Sequence, residues 1–112
     1  MHLEQVMLPG DILKVKLTGA LDLAGAGDVE IPLGDISAKH DKVIIDFTNV
    51  TFLASIGIRV LMKAARAISS RKGRLVVCGP SNDARKVLRS TGIDTIIPIV
   101  SDESAAIAEL NK

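Results

Sequence analysis

Aromatic residues are scarce in this chain: among 112 residues there are two phenylalanines, Phe47 and Phe52, and neither tryptophan nor tyrosine. Reading single-stranded nucleic acid by base stacking needs exposed aromatic rings, so the composition argues against that class. Charge argues the same way. The formal net charge is +1, whereas binding driven by counterion release from phosphates needs a strong basic excess. No nucleic-acid partner is expected.

There is a single cysteine, Cys78, so no internal disulfide framework can form. It follows the apolar run Leu75 to Val77 and reads as a small core residue. No apolar run reaches the ~20 residues that a membrane span needs. A cationic, apolar leader is also missing. These absences lead us to expect a soluble, cytoplasmic protein with no direct membrane insertion. At this length one domain over residues 1–112 is expected, burying roughly two thirds of the surface its unfolded chain exposes.

Motifs of chemistry are missing too. His2 and His40 are far apart and neither belongs to a ligand-spaced pair, so no metal site is expected. No glycine-rich turn ends in Gly-Lys-Ser or Gly-Lys-Thr. Gly25-Ala26-Gly27 lacks the third glycine of a dinucleotide fingerprint. Ser55 precedes Ile56-Gly57 but has no glycine two residues before it, and no histidine is placed to act as its base. Without a catalytic set or a cofactor motif, the chain reads as a binding module and not as an enzyme.

What is present is organised around Val43 to Ile68, where the hydrophobic period changes. Val43-Ile44-Ile45, closed by Asp46 and Phe47, is a short run suited to a strand buried on both faces. Ile58, Leu61, Met62, Ala65 and Ile68 then recur at helical spacing as one apolar stripe. Thr51 to Gly57 lies between and carries Ser55 to the mouth of the helix. A hydroxyl there can cap the free backbone N–H groups, and the same groups with the helix dipole favour an anion. A cap and a phosphate site both stand as readings of Ser55.

Around this unit the chain alternates strands and helices. Leu3 to Leu8 and Ile12 to Thr18 flank Pro9-Gly10-Asp11 and predict an N-terminal hairpin. Ala26, Val29, Leu33 and Ile36 have helical spacing, yet Gly25, Gly27, Pro32 and Gly34 weaken a helix, so a broken one is expected with Pro32 in the first turn of its second piece. Leu75 to Cys78 is the next strand. Ser81 or Asn82 caps a helix with Ala84, Val87, Leu88 and Thr91 facing inward and Gly92 at its left-handed stop. Ile96 to Val100, interrupted by Pro98, reads as an edge strand, and Ser101-Asp102-Glu103 opens a last helix with a hydroxyl cap and an acidic first turn, docked by Ala106, Ile107 and Leu110. The order β-β-α-β-α-β-α-β-α predicts an α/β fold with a mostly parallel, mixed sheet of four to five strands and about four helices.

Arg59, Lys63 and Arg66 line the outer face of the central helix, with Arg71, Lys72 and Arg74 beyond. They read either as a solvated face or as a docking surface for an acidic partner beside Ser55.

Gly19-Ala20-Leu21-Asp22, Val43 to Val50, and Phe52-Leu53-Ala54-Ser55-Ile56-Gly57-Ile58 together resemble the STAS domain of bacterial anti-sigma factor antagonists. Gly73 to Val76, Val87-Leu88 and Gly92-Ile93 extend the resemblance over nearly the whole chain. It implies a STAS-like fold and a phosphoacceptor at Ser55, where the family's loop reads Asp-Ser-Ser-Gly or Asp-Ser-Ala-Gly. Two positions depart: Ala54 stands in place of Asp, and Ile56 in place of a small residue. The implied partner is an anti-sigma factor serine kinase, with a serine phosphatase as its counterpart. The implied contact residues are Asp22, Phe52, Ala54, Ser55, Ile56, Gly57, Arg59 and Lys63. Other STAS domains are parts of anion transporters and signalling complexes, so a non-phosphorylated scaffold is the alternative expectation.

Overall fold

The computed structural model describes residues 1–112, and its element order is the expected one. β1 (His2–Leu8) and β2 (Ile12–Leu21) form the hairpin, turning through Gly10 and Asp11, which both have positive φ. Helix α1 (Leu23–Lys39) leads to β3 (Lys42–Leu53) and α2 (Ser55–Ser69). β4 (Arg74–Cys78), α3 (Asn82–Ser90), β5 (Ile99–Val100) and α4 (Glu103–Leu110) complete the chain. The five strands lie in the order β1-β2-β3-β4-β5, antiparallel at the hairpin and parallel elsewhere.

The run Val43 to Phe47 is buried throughout, because β3 is the middle strand and both its faces are covered. Val43, Ile45 and Phe47 enter the main core with Val29, Leu33, Leu61, Ile68 and Leu88 from α1, α2 and α3. Ile44 points to the opposite face, where it meets Ile12, Val76, Cys78, Ala106 and Leu110 beneath α4. On α2 the expected stripe is the buried one: Ile58, Leu61, Ala65 and Ile68 are inside and Met62 is half-buried.

Four details differ from the sequence reading, each for a local reason. Helix α1 is continuous and carries Pro32 in its interior. Its glycines and proline cost about 6 kcal/mol of helix propensity in sum, but Val29, Leu33 and Ile36 are buried, at about 1.5–3 kcal/mol each. Burial offsets the propensity. β3 runs on to Leu53 because β2 also extends to Leu21 and keeps pairing with it through two register shifts, between Lys16 and Thr18 and between Gly19 and Ala20. Thr51 to Leu53 are therefore strand and not loop. Ile93 to Thr95 form a 3-10 turn and Thr91 is exposed, so β5 shrinks to two residues at the sheet edge. Asp102, not Ser101, caps α4 by accepting from the Ala105 N–H at 2.8 Å.

No helix is long and apolar enough to cross a membrane.

Candidate partner-binding site at the start of α2

Three of the four helices begin with a side-chain cap. The Asp22 carboxylate accepts from Gly25 N–H at 2.8 Å, Ser81 Oγ accepts from Ala84 N–H at 3.1 Å, and Asp102 serves α4. Helix α2 is the exception. Its capping position is held by Ala54, in extended geometry, whose methyl group accepts nothing. Ser55 therefore does not cap the helix, as one reading of the sequence had it; it is the first helical residue, exposed, with its hydroxyl hydrogen-bonded to nothing in the chain. Of the first-turn N–H groups only that of Gly57 reaches a carbonyl, that of Ala54, and no acidic residue sits among them.

The mouth of α2 is fixed by backbone. Ala54 N–H donates to Leu21 O at 3.0 Å, tying the end of β3 to the end of β2, and Gly57 N–H donates to Ala54 O at 2.9 Å. Gly57 is buried, and a Cβ there would come within 2.6 Å of Leu21 Cγ and 3.0 Å of Leu53 Cδ1. Its missing side chain is what lets α2 approach the strand ends. Gly25 does the same for α1, since its Cβ would overlap Ala20 O.

The structure brings the residues singled out in the sequence to one end of the sheet. Ala20 pairs with Phe52 and Leu21 with Leu53, which sets Asp22 beside the Ser55 turn. Phe52 is 58% exposed and Leu23, the first residue of α1, 76%. A cleft of about 330 Å³ separates the starts of α1 and α2, with Leu23, Ile56, Val60, Arg59 and Lys63 among its walls. Lys63 reaches Glu30 across it at 3.7 Å, while Arg59 is exposed and forms no ion pair. Asp22 is committed to capping α1, and Gly57 lies beneath the surface. The exposed surface is thus Phe52, Ser55, Arg59 and Lys63, with Ala54 and Ile56 half-buried between them.

Leu23 was not singled out in the sequence. A large apolar residue directly after an Asp cap, out of phase with the buried stripe Ala26, Val29, Leu33, Ile36, was the available signal.

On the other face of the sheet lies a polar cluster that the sequence also hid. Asp46 is buried among apolar neighbours; its Oδ1 accepts from Thr48 Oγ1 at 2.6 Å and Thr48 N–H at 2.9 Å, and its Oδ2 lies 3.6 Å from Lys14 Nζ. Burial alone would raise its pKa, but the Thr48 hydroxyl and N–H and the Lys14 charge outweigh it and lower it. Lys14 also holds Glu103 on α4 at 2.6 Å, and that hydrogen bond, against some desolvation, raises its pKa. Cys78, buried nearby, is pushed up to about 12 by burial, so its thiol stays protonated and inert.

Comparison with known proteins agrees with this architecture. The STAS domain family model matches residues 5–106. The chain is 25% identical over 101 residues to the anti-sigma F factor antagonist of Paenibacillus polymyxa, covering 88% of this chain and 86% of that one. It is 29% identical over 94 residues to the anti-sigma-B factor antagonist of Listeria monocytogenes, covering 83% and 82%. Among solved structures, the anti-sigma factor antagonist SpoIIAA in its unphosphorylated form superposes with a TM-score of 0.81 at 20% identity, covering 98% of this chain and 96% of that one. Five strands in one mixed sheet, four helices and a family match spanning nearly all of them lead to one conclusion: this chain belongs to the STAS domain family.

Proposed function

We propose that this protein is an anti-sigma factor antagonist whose partner binding is controlled by phosphorylation of Ser55. The observation that carries this reading is the uncapped start of α2, with an exposed hydroxyl at its first residue. The names of the related antagonists support the partner class, an anti-sigma factor; in this proposal that partner is also the serine kinase. The chain itself acts as a cytoplasmic binding protein and not as an enzyme. In the modification, Ser55 Oγ attacks the γ-phosphorus of ATP held by the kinase, ADP departs, and the hydroxyl proton passes to a base of the kinase. A serine phosphatase reverses the step by hydrolysis.

Phosphate at Ser55 is tolerated by the fold and opposed by the complex. It adds about −1.5 to −2 charge and three strong acceptors at a helix N-terminus that no side chain caps, four residues from unpaired Arg59. The partner-facing surface around it is apolar at Phe52, Leu23 and Ile56. Burying a dianion in such a contact carries a desolvation cost that the neutral hydroxyl avoids. Ala54 has a bearing on rate. If an acid at that position assists transfer in the family, Ala54→Asp will be phosphorylated faster than the natural chain.

Titration calorimetry with the cognate anti-sigma factor tests the binding half of the proposal. The natural chain and Ser55→Ala are expected to bind alike, and Ser55→Asp more weakly. Equal binding by all three would favour the scaffold alternative, in which Ala54 and Ile56 make a constitutive apolar contact.

A further inference from the structure

The two edges of the sheet are finished differently. β5 has two residues and follows Pro98, which has no N–H to offer a neighbouring strand. β1 has seven, and it pairs with β2 from His2↔Thr18 to Leu8↔Ile12 without a register shift. No strand lies on its outer side. Soluble proteins blunt such an edge with lysine, proline, a bulge, a short strand or a cover. His2–Leu8 contains no lysine and no proline, and instead Val6 and Met7 stand 43% and 53% exposed along it.

We propose that β1 is a dimer interface, in which a second copy of this chain adds its own β1 antiparallel about a two-fold axis at Gln5. A ten-stranded sheet results. The occupant follows from the strand's self-complementarity. With Gln5 opposite Gln5, Leu3 of one copy meets Met7 of the other on one face, and Glu4 meets Val6 on the other face. No like charges oppose one another. Glu4 is the only acidic residue of the strand and has Lys16 as its cross-strand neighbour within the chain. An axis moved one residue towards the N-terminus would set Glu4 against Glu4, which cross-strand repulsion disfavours; one moved the other way would set Glu4 against Leu8. A seven-residue edge buries less than the ~800 Å² per partner of a standard interface. The dimer is therefore expected to be reversible.

Sedimentation equilibrium of the full chain, from low micromolar to near-millimolar concentration, tests the inference independently of anything that happens at Ser55. The mass is expected to climb from 11.8 kDa towards twice that value. Gln5→Lys and Gln5→Glu each put like charges face to face at the axis, and each is expected to stay monomeric. Mixed in equal amounts they should form a heterodimer, which native mass spectrometry reads by mass. Gln5 is exposed, so unchanged circular dichroism is expected in both variants. A natural chain that stays monomeric throughout overturns the proposal, as it would if β1 serves a different protein. So does dimerisation of the single variants at natural strength, or a mixture that forms no heterodimer.

Discussion

Asp46 and Ser55 belong to one segment, β3 and the first residue of the helix that follows, yet their surroundings are opposite. Asp46 is closed in: its carboxylate has a hydroxyl, an N–H and an ammonium group around it, and Lys14 carries the network on to α4. Ser55 is open. Its hydroxyl touches no acceptor or donor of the chain, the helix behind it is uncapped, and apolar side chains beside it face solvent. Polar groups satisfied within the chain hold the fold together, whereas a solvated hydroxyl beside exposed apolar surface is accessible to a partner. The comparison separates stability from function along one stretch of sequence.

The largest effect should come from neither residue but from the main core. Leu61→Ala removes a fully buried side chain from α2 and should cost about 2–5 kcal/mol in urea denaturation. Ile45→Ala should behave alike, and a loss no greater than that of surface Arg66→Ala would mean the stripe on α2 is misassigned.

Asp46→Ala should cost about 1–3 kcal/mol, since it removes the acceptor of the Thr48 hydroxyl and N–H and leaves Lys14 with Glu103 alone. The sign with pH is fixed by the lowered pKa of Asp46. Its contribution is present above the ordinary aspartate range and disappears as pH falls through the lower, folded value. Asp46→Asn should accordingly lack that part of the acid destabilisation. Lys14 contributes the opposite way: its raised pKa makes its share of stability full below the ordinary lysine value of 10.5 and lost as pH climbs through the folded one. Parallel acid profiles for the natural chain and Asp46→Asn would contradict the closed reading of Asp46.

Gly57 lies in the open region yet faces inward. The methyl group of Gly57→Ala would press on Leu21 Cγ at 2.6 Å and should cost about 1–3 kcal/mol by overpacking. Ser55→Ala, two residues away, should stay within about half a kcal/mol. A stability loss at Ser55 as large as at Gly57 would erase the distinction drawn between them.

Most of the fold was legible because period and turn chemistry agreed with the final packing. The β-branched run at Val43, the helical stripe from Ile58 and the Pro9-Gly10-Asp11 turn each named its element. Pro32 misled because local propensity in α1 is overruled by a buried face that only tertiary contact supplies. The end of β3 misled because strand length depends on what the neighbouring strand does, and β2 pairs as far as Leu21. Ser55 was found by its position before the helix, but its exposure and the missing cap at Ala54 needed coordinates. The Lys14–Asp46–Glu103 network joins residues from β2, β3 and α4, and no spacing along the chain announces it.

If the open start of α2 is where this protein is switched, the phosphate must be found there. Incubation with the cognate anti-sigma factor kinase and ATP, followed by peptide mass spectrometry, should show one phosphate, on Ser55, and none in Ser55→Ala. Phosphate on Ser69, Ser70 or Ser81 with Ser55 unmodified would place the switch elsewhere and overturn the proposed role of Ser55.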